Sequence, residues 1–295
     1  MTAPAGLAKR LSATIPRRGQ RVPATLPAAT NPPGARMATT FRGKTVLITG
    51  ASSGIGRALA VALAAQGAKV GVTARRAELL QSLATEVRAT GGTVETATLD
   101  VSDRDATLHG LRGLADRLGP PDVLIANAGV SEPTEIDPQN VEGVVRMANV
   151  NYLGVVYAFE AVLPGMLERG AGHLVAVASM AAYKGLPGAA GYCASKAAVS
   201  TYCEAIRIDL WPRGVAVTCV YPGFVETPMT AKNTHPMPLL MTAEAGAAEI
   251  LRRLPGRPGV LNFPRRMRLL MALARLAPDR FIRKRVRVKV IDPAA

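Results

Sequence analysis

Thr49-Gly50-Ala51-Ser52-Ser53-Gly54-Ile55-Gly56 follows a short apolar run at 44–49 and opens a stretch of helical composition at 54–66 that Gly67 closes. Glycines let a chain turn sharply and let an anion approach the backbone. A helix that starts there offers free N–H groups and the positive end of its dipole. The spacing is Gly-x3-Gly-x-Gly, not the common Gly-x-Gly-x-x-Gly dinucleotide fingerprint. A glycine loop alone serves any bend; a strand before it and a helix after it make this one a phosphate cradle.

Outward from that loop, strands and helices alternate. Further strands are expected at 68–73, 93–99, 122–126, 173–178, 215–220 and 259–263. Helices are expected at 76–90, 103–118, 138–169 (broken near 149–154), 190–212 and 242–253. Alternation of this kind means βαβ units and a parallel sheet with helices on both faces. The fold class is therefore α/β: a Rossmann-like, doubly wound parallel sheet of about seven strands in a single domain over 41–263. Ligands in such sheets bind at the carboxyl ends of the strands, so chemistry is sought where strands stop.

At the end of the second strand stand Arg75 and Arg76, with no acid. In dinucleotide folds an acid about 20 residues past the glycines holds the ribose of NAD, whereas an arginine accommodates the 2′-phosphate of NADP. Arg75, 19 residues after Gly56, is the first choice and Arg76 the second. Tyr192 and Lys196 lie at i and i+4 of an expected helix and share a face. A cation at ~4 Å is worth roughly 4 kcal/mol at an effective dielectric of 20. That is enough to lower a phenol's pKa by as much as ~3 and let it trade protons near neutrality.

Composition bounds the rest. The chain has 295 residues, 48% hydrophobic, enough to bury a large core and too apolar for disorder throughout. Cys193, Cys203 and Cys219 with His109, His173 and His235 show no metal-ligand spacing, so no metal site is expected. Three sparse cysteines fit a reducing compartment. No uncharged apolar run reaches 18 residues. The net charge of +15 sits at the ends: residues 1–40 carry six basic residues and no acid, and 252–295 carry thirteen basic residues and two acids. That leaves −2 for 41–251. Residues 1–40 read as a disordered basic leader. Either Met37 is the true start and the leader is not made, or the leader is a dispensable tail, or it is an organelle-targeting segment.

The glycine loop, Asn127-Ala128-Gly129 after the fourth strand, Ser179 after the fifth, Tyr192-x3-Lys196, and Pro222-Gly223 after the sixth occur in that order. Together they resemble the short-chain dehydrogenase/reductase superfamily, in its short single-domain, NADP-preferring form, over about 42–263. The resemblance implies an NADP(H)-dependent oxidoreductase interconverting a ketone or aldehyde and an alcohol, with NADP(H) preferred over NAD(H). Tyr192 would be general acid/base. Lys196 would tune it and hold the nicotinamide ribose, Ser179 would bind the carbonyl oxygen, and Asn151 would support a proton-relay water. Gly50, Ser52, Ser53, Gly54, Ile55 and Gly56 would hold the pyrophosphate and Asp100 and Val101 the adenine. Asn127, Ala128 and Gly129 would border the cofactor, and Pro222, Gly223 and Thr227 would cradle the nicotinamide. Ser53 stands where a basic NADP determinant can precede Gly54, so that alternative is missing. A homo-dimer or tetramer is also implied.

Residues 228–242 carry Met229, Met237, Leu239, Leu240 and Met241 in the variable region where the family places its substrate lid, which points to a hydrophobic small-molecule carbonyl or alcohol. Residues 264–295 form a basic C-terminal extension with an amphipathic helical stretch at 265–277. It caps the pocket or an oligomer interface, or lies on an anionic membrane surface. Nucleic acid is disfavoured, since the basic run carries only Phe281 for stacking. A cytoplasmic location, peripheral at a membrane surface in the second case, follows. Two rival readings remain: a catalytically idle NADP(H)-binding sensor, and a membrane-associated adaptor on the same fold. Four intact catalytic positions weigh against the sensor.

Overall fold

The computed structural model describes residues 41–233, 236–264, 266–267, 271 and 278. The basic leader, His235 and most of the basic extension lie outside the described residues.

Seven strands are present: β1 (Thr45–Thr49), β2 (Lys69–Ala74), β3 (Thr93–Thr98), β4 (Val123–Ala126), β5 (Gly172–Val177), β6 (Val215–Pro222) and β7 (Val260–Phe263). Each adjacent pair is parallel, in the order β3-β2-β1-β4-β5-β6-β7. Between them run α1 (Gly54–Ala65), α2 (Ala77–Ala89), α3 (Arg104–Leu118), α4 (Val141–Ala148), α5 (Gly154–Arg169), α6 (Ala190–Leu210) and α7 (Ala243–Arg253).

The central strands are continuous apolar runs because both faces of the sheet are covered. In β1, Val46 and Ile48 enter one core and Leu47 the other. The first core takes Leu59 and Leu63 of α1, Leu83 of α2 and Ile250 of α7. The second takes Leu111 and Leu114 of α3, Phe159 and Met166 of α5, and Val199 of α6. The strand order reverses between β1 and β4. The crevice above their carboxyl ends is where doubly wound sheets bind ligands.

Two expectations are corrected. The helical zone 138–169 is not broken near 149–154. Asn149–Leu153 is a π-helical turn that joins α4 to α5 without interruption. One wide turn admits an extra residue and turns Asn151 fully inward. By length and hydropathy the resulting 29-residue helical run could cross a membrane. Here its Phe159, Val162 and Met166 fill the second core. The α6 helix ends at Leu210, and Trp211–Arg213 form a tighter 3₁₀ turn around Pro212. Trp211, on that turn, is 76% exposed.

Candidate active site

The glycine loop is shaped by close approach as much as by torsion. Gly50 (φ 69°) and Gly54 (φ 55°) are left-handed. A Cβ on Gly50 would stand 2.5 Å from the Ala128 Cα, and one on Gly54 would stand 2.7 Å from the Thr227 methyl. A Cβ on Gly56 would meet the Gly50 carbonyl oxygen at 2.4 Å and Asn127 Nδ2 at 2.5 Å. The three glycines thus bring the loop against the segment after β4 and against Thr227. Asn127 Nδ2 donates to the carbonyls of Thr49 (3.1 Å) and Gly50 (3.0 Å), while Thr49 Oγ1 accepts from the main-chain N–H of Asn127 and Ala128. Ile55 packs on the first core beside the loop.

The N-cap residue of α1, Ser53, makes no side-chain cap, and the first turn holds no acid. An uncapped helix N-terminus behind a loop with glycine at three positions fits a pyrophosphate. Arg76 reaches over this loop and donates to Ser52 Oγ at 2.8 Å and Ser53 Oγ at 3.0 Å. Arg75 instead pairs with Asp100 at 3.5 Å. Of the two arginines, the second choice is the one the structure brings to the phosphate cradle. Asp100 is partly buried, which opposes its ionisation. The Ser102 N–H and hydroxyl and the Arg75 guanidinium outweigh that and hold the carboxyl below its ordinary value. Val101 is buried where a Cβ on Gly154 would stand 2.9 Å from its methyl.

Toward β5 and β6 the proton-handling groups converge. The Ser179 hydroxyl neighbours the Tyr192 phenol and favours its ionised form. Ser179 Oγ accepts from the Ala181 N–H at 3.1 Å, so its own proton stays available for an oxygen in the cleft. Lys196, 3% exposed, donates to the Val177 carbonyl at 2.8 Å. A Cβ on Gly129 would be 3.2 Å from Asn151 Oδ1 and 3.3 Å from Lys196 Nζ, so these two groups meet at the segment after β4. Asn151 Nδ2 donates to Val130 O and Ser195 Oγ, both at 2.9 Å, and its Oδ1 accepts from the Val130 N–H at 2.7 Å. Both amide protons are committed, so the side chain fastens that segment to α6.

Burial dominates the electrostatics of the Tyr192–Lys196 pair. Lys196 Nζ lies 5.9 Å from the Tyr192 ring centroid and is engaged by a buried carbonyl. Spacing at i and i+4 brings the ammonium toward the ring. Burial pushes the Tyr192 phenol above its ordinary value, and the Ser179 hydroxyl opposes that in part. Burial pushes the Lys196 ammonium down to about 8. The phenol is thus protonated at neutral pH, as a proton donor requires.

Pro222 ends β6 opposite Phe263, Gly223 donates its N–H to the Phe263 carbonyl at 2.8 Å, and Thr227 is fixed by Thr230 Oγ1 at 3.0 Å from its N–H. Sequence reasoning missed two members of the site. Thr49 ties the loop to Asn127 and Ala128. Ser195 accepts from Asn151 and donates to the Tyr192 carbonyl at 2.8 Å, though the sequence shows it only as a spacer between Tyr192 and Lys196. Cys193, beside Tyr192, is buried and its thiol pushed up by that burial, which keeps it protonated and inert.

A family model described as short chain dehydrogenase matches residues 44–238. An uncharacterised oxidoreductase of Myxococcus xanthus is 42% identical over 236 residues, covering 80% of this chain and 93% of its own. An uncharacterised oxidoreductase of Mycobacterium tuberculosis is 34% identical over 224 residues, covering 74% and 88%. Among solved structures, levodione reductase superimposes with a TM-score of 0.69 at 27% identity, covering 76% of this chain and 96% of that one. A short-chain type dehydrogenase/reductase from Mycobacterium marinum gives 0.70 at 28% identity, covering 75% and 94%.

Proposed function

This chain belongs to the short-chain dehydrogenase family and is an oxidoreductase, and on that premise we propose that it reduces a hydrophobic ketone or aldehyde with NADPH, and runs the reverse. One observation carries the reading. A protonated, half-buried phenol beside Ser179 stands near a buried ammonium, at the same carboxyl end of the sheet as the glycine loop and its uncapped helix.

When bound, the nicotinamide cofactor supplies the hydride. The glycine loop with Ser52, Ser53 and Ile55 would hold its pyrophosphate. Arg76, aided by Arg75, would meet a 2′-phosphate, Asp100 and Val101 would flank the adenine, and Pro222, Gly223 and Thr227 would line the nicotinamide end. Ser179 and Tyr192 donate to the carbonyl oxygen where negative charge develops. Tyr192 then gives up its proton, and the neighbouring Lys196 charge stabilises the phenolate left behind. Asn151 and Ser195 keep α6 in register with the segment after β4. Leu239 and Leu240, 40% and 39% exposed beside Met241, would supply an apolar rim for a hydrophobic substrate. The same reading places the protein in the cytoplasm.

The test is oxidation of NADPH, beside NADH, by the full chain against a panel of apolar ketones and aldehydes. Tyr192→Phe should keep NADPH binding and lower turnover roughly 100- to 10,000-fold. Tight NADPH binding with no turnover on any panel member would favour a dinucleotide sensor. Unchanged turnover in the mutant would remove Tyr192 from its role.

A further inference from the structure

The helix that carries Tyr192 begins without a cap of its own. Its N-cap residue is Ala189, which has no side-chain acceptor. The missing acceptor comes from 57 residues upstream, where Thr134 Oγ1 accepts from the Gly191 N–H at 2.9 Å. Gly191 is the second residue of α6, the position whose N–H an N-cap side chain serves. Tyr192 is the next residue. The same threonine donates its main-chain N–H to the Gly188 carbonyl at 2.7 Å, so it grips the approach to the helix on both sides of Ala189.

Thr134 is itself held. Asn140 Nδ2 donates to the Pro133 carbonyl at 2.8 Å and its Oδ1 accepts from the Glu135 N–H at 2.9 Å, fixing both neighbours of Thr134 to the start of α4. Arg146 of α4 donates to Glu132 at 2.6 Å. The start of α6 also rests on α4, since a Cβ on Gly191 would stand 2.7 Å from the Met147 methyl. A continuous set of bonded contacts therefore runs from α4 through Thr134 to the turn that aims the phenol.

We propose that Thr134 is a positioning residue: a helix cap supplied from a distant part of the chain that fixes the first turn of α6 and so sets Tyr192 against Ser179. Its catalytic consequence rests on the reductase reading; its structural consequence does not. The two are separated by observing Tyr192 directly.

The experiment compares Thr134→Val, which keeps the shape and loses the acceptor, with Thr134→Ser, which keeps the acceptor. Protein labelled with ¹³C at the tyrosine ζ carbon gives one resonance per tyrosine, and Tyr192 is assigned by its loss in Tyr192→Phe. Thr134→Val should move the Tyr192 resonance and Thr134→Ser should return it. Asn140→Ala, which frees both neighbours of Thr134 but leaves its hydroxyl, should move the same resonance and serves if the valine variant does not fold. With a substrate from the carbonyl panel, kcat of Thr134→Val should fall roughly 2- to 30-fold, with the KM for NADPH unchanged and the serine variant restored. A parent that reduces no carbonyl defeats the reductase reading alone, and the resonance then decides the positioning role. A Tyr192 resonance that stays in place in folded Thr134→Val or Asn140→Ala, or one that Thr134→Ser does not restore, overturns the proposal.

Discussion

Arg76 donates to two hydroxyls of the glycine loop, whereas Arg75, 59% exposed, spends part of its charge on Asp100. Hydrogen bonds from a guanidinium to phosphate are charge-assisted and strong. Arg76→Met should therefore raise the Kd for NADPH roughly 10- to 100-fold and leave that for NADH almost unchanged; Arg75→Met should raise it less. Fluorescence titration with both cofactors measures this, and equal losses for NADPH and NADH would show that Arg76 props the loop without reading the phosphate. The sequence showed that an arginine pair replaces the acid, but not which of the two turns toward the loop, since adjacent residues leave a strand on opposite sides. Tyr192 and Lys196 were legible because a helix keeps i and i+4 on one face. Thr134 and Ser195 were not, because their partners lie across the fold or look like spacer.

At the scale of elements, glycines separate a demand for torsion from a demand for space. Gly91 is left-handed (φ 76°) with nothing within 4 Å of an added Cβ, whereas a Cβ on Gly56 would collide with the Gly50 carbonyl and Asn127. Gly91→Ala should cost about 1–2 kcal/mol of left-handed strain and leave cofactor affinity intact. Gly56→Ala must push α1 away from β1, at about 1–3 kcal/mol, and should lose cofactor binding as well. Urea melts and NADPH titration of the two variants check the contrast; retained affinity in Gly56→Ala would mean that the loop yields without harm. Strands were legible to within one or two residues because most are buried apolar runs between glycine or polar stops, and the partly exposed β3 follows the Gly91-Gly92 stop. The π-helical turn at Asn149–Leu153 was not, since its polar residues look like a break when one cannot see that Asn151 finds Val130 and Ser195 inside.

The whole molecule keeps its chemistry and its acid sensitivity at opposite ends of the sheet. Ser179 lies just past the carboxyl end of β5, while His173 lies near the amino end of the same strand and is 4% exposed. His173 Nε2 is 2.8 Å from Thr218 Oγ1, and that hydroxyl donates to the Pro258 carbonyl at 2.6 Å, so Nε2 carries the proton of a neutral ring. Burial, with a smaller contribution from Arg257, lowers its pKa from 6.5 to about 4. The unfolded chain therefore binds the proton first as pH falls. Stability is full above about pH 6.5 and declines toward pH 4, by about 3 kcal/mol at ~1.4 kcal/mol per pH unit. The histidine was visible in the sequence, but its neutrality depends on β6 and residues 257–258 packing over it. Urea unfolding of the parent and His173→Gln between pH 7 and 4 should show a decline that the variant lacks, over a background of carboxylate titration common to both. Equal slopes would assign the acid sensitivity elsewhere. Because this histidine is at the far end of the sheet, native protein at pH 5 should still bind NADPH as tightly in the variant as in the parent, and acid would act on the population of folded molecules without altering the site.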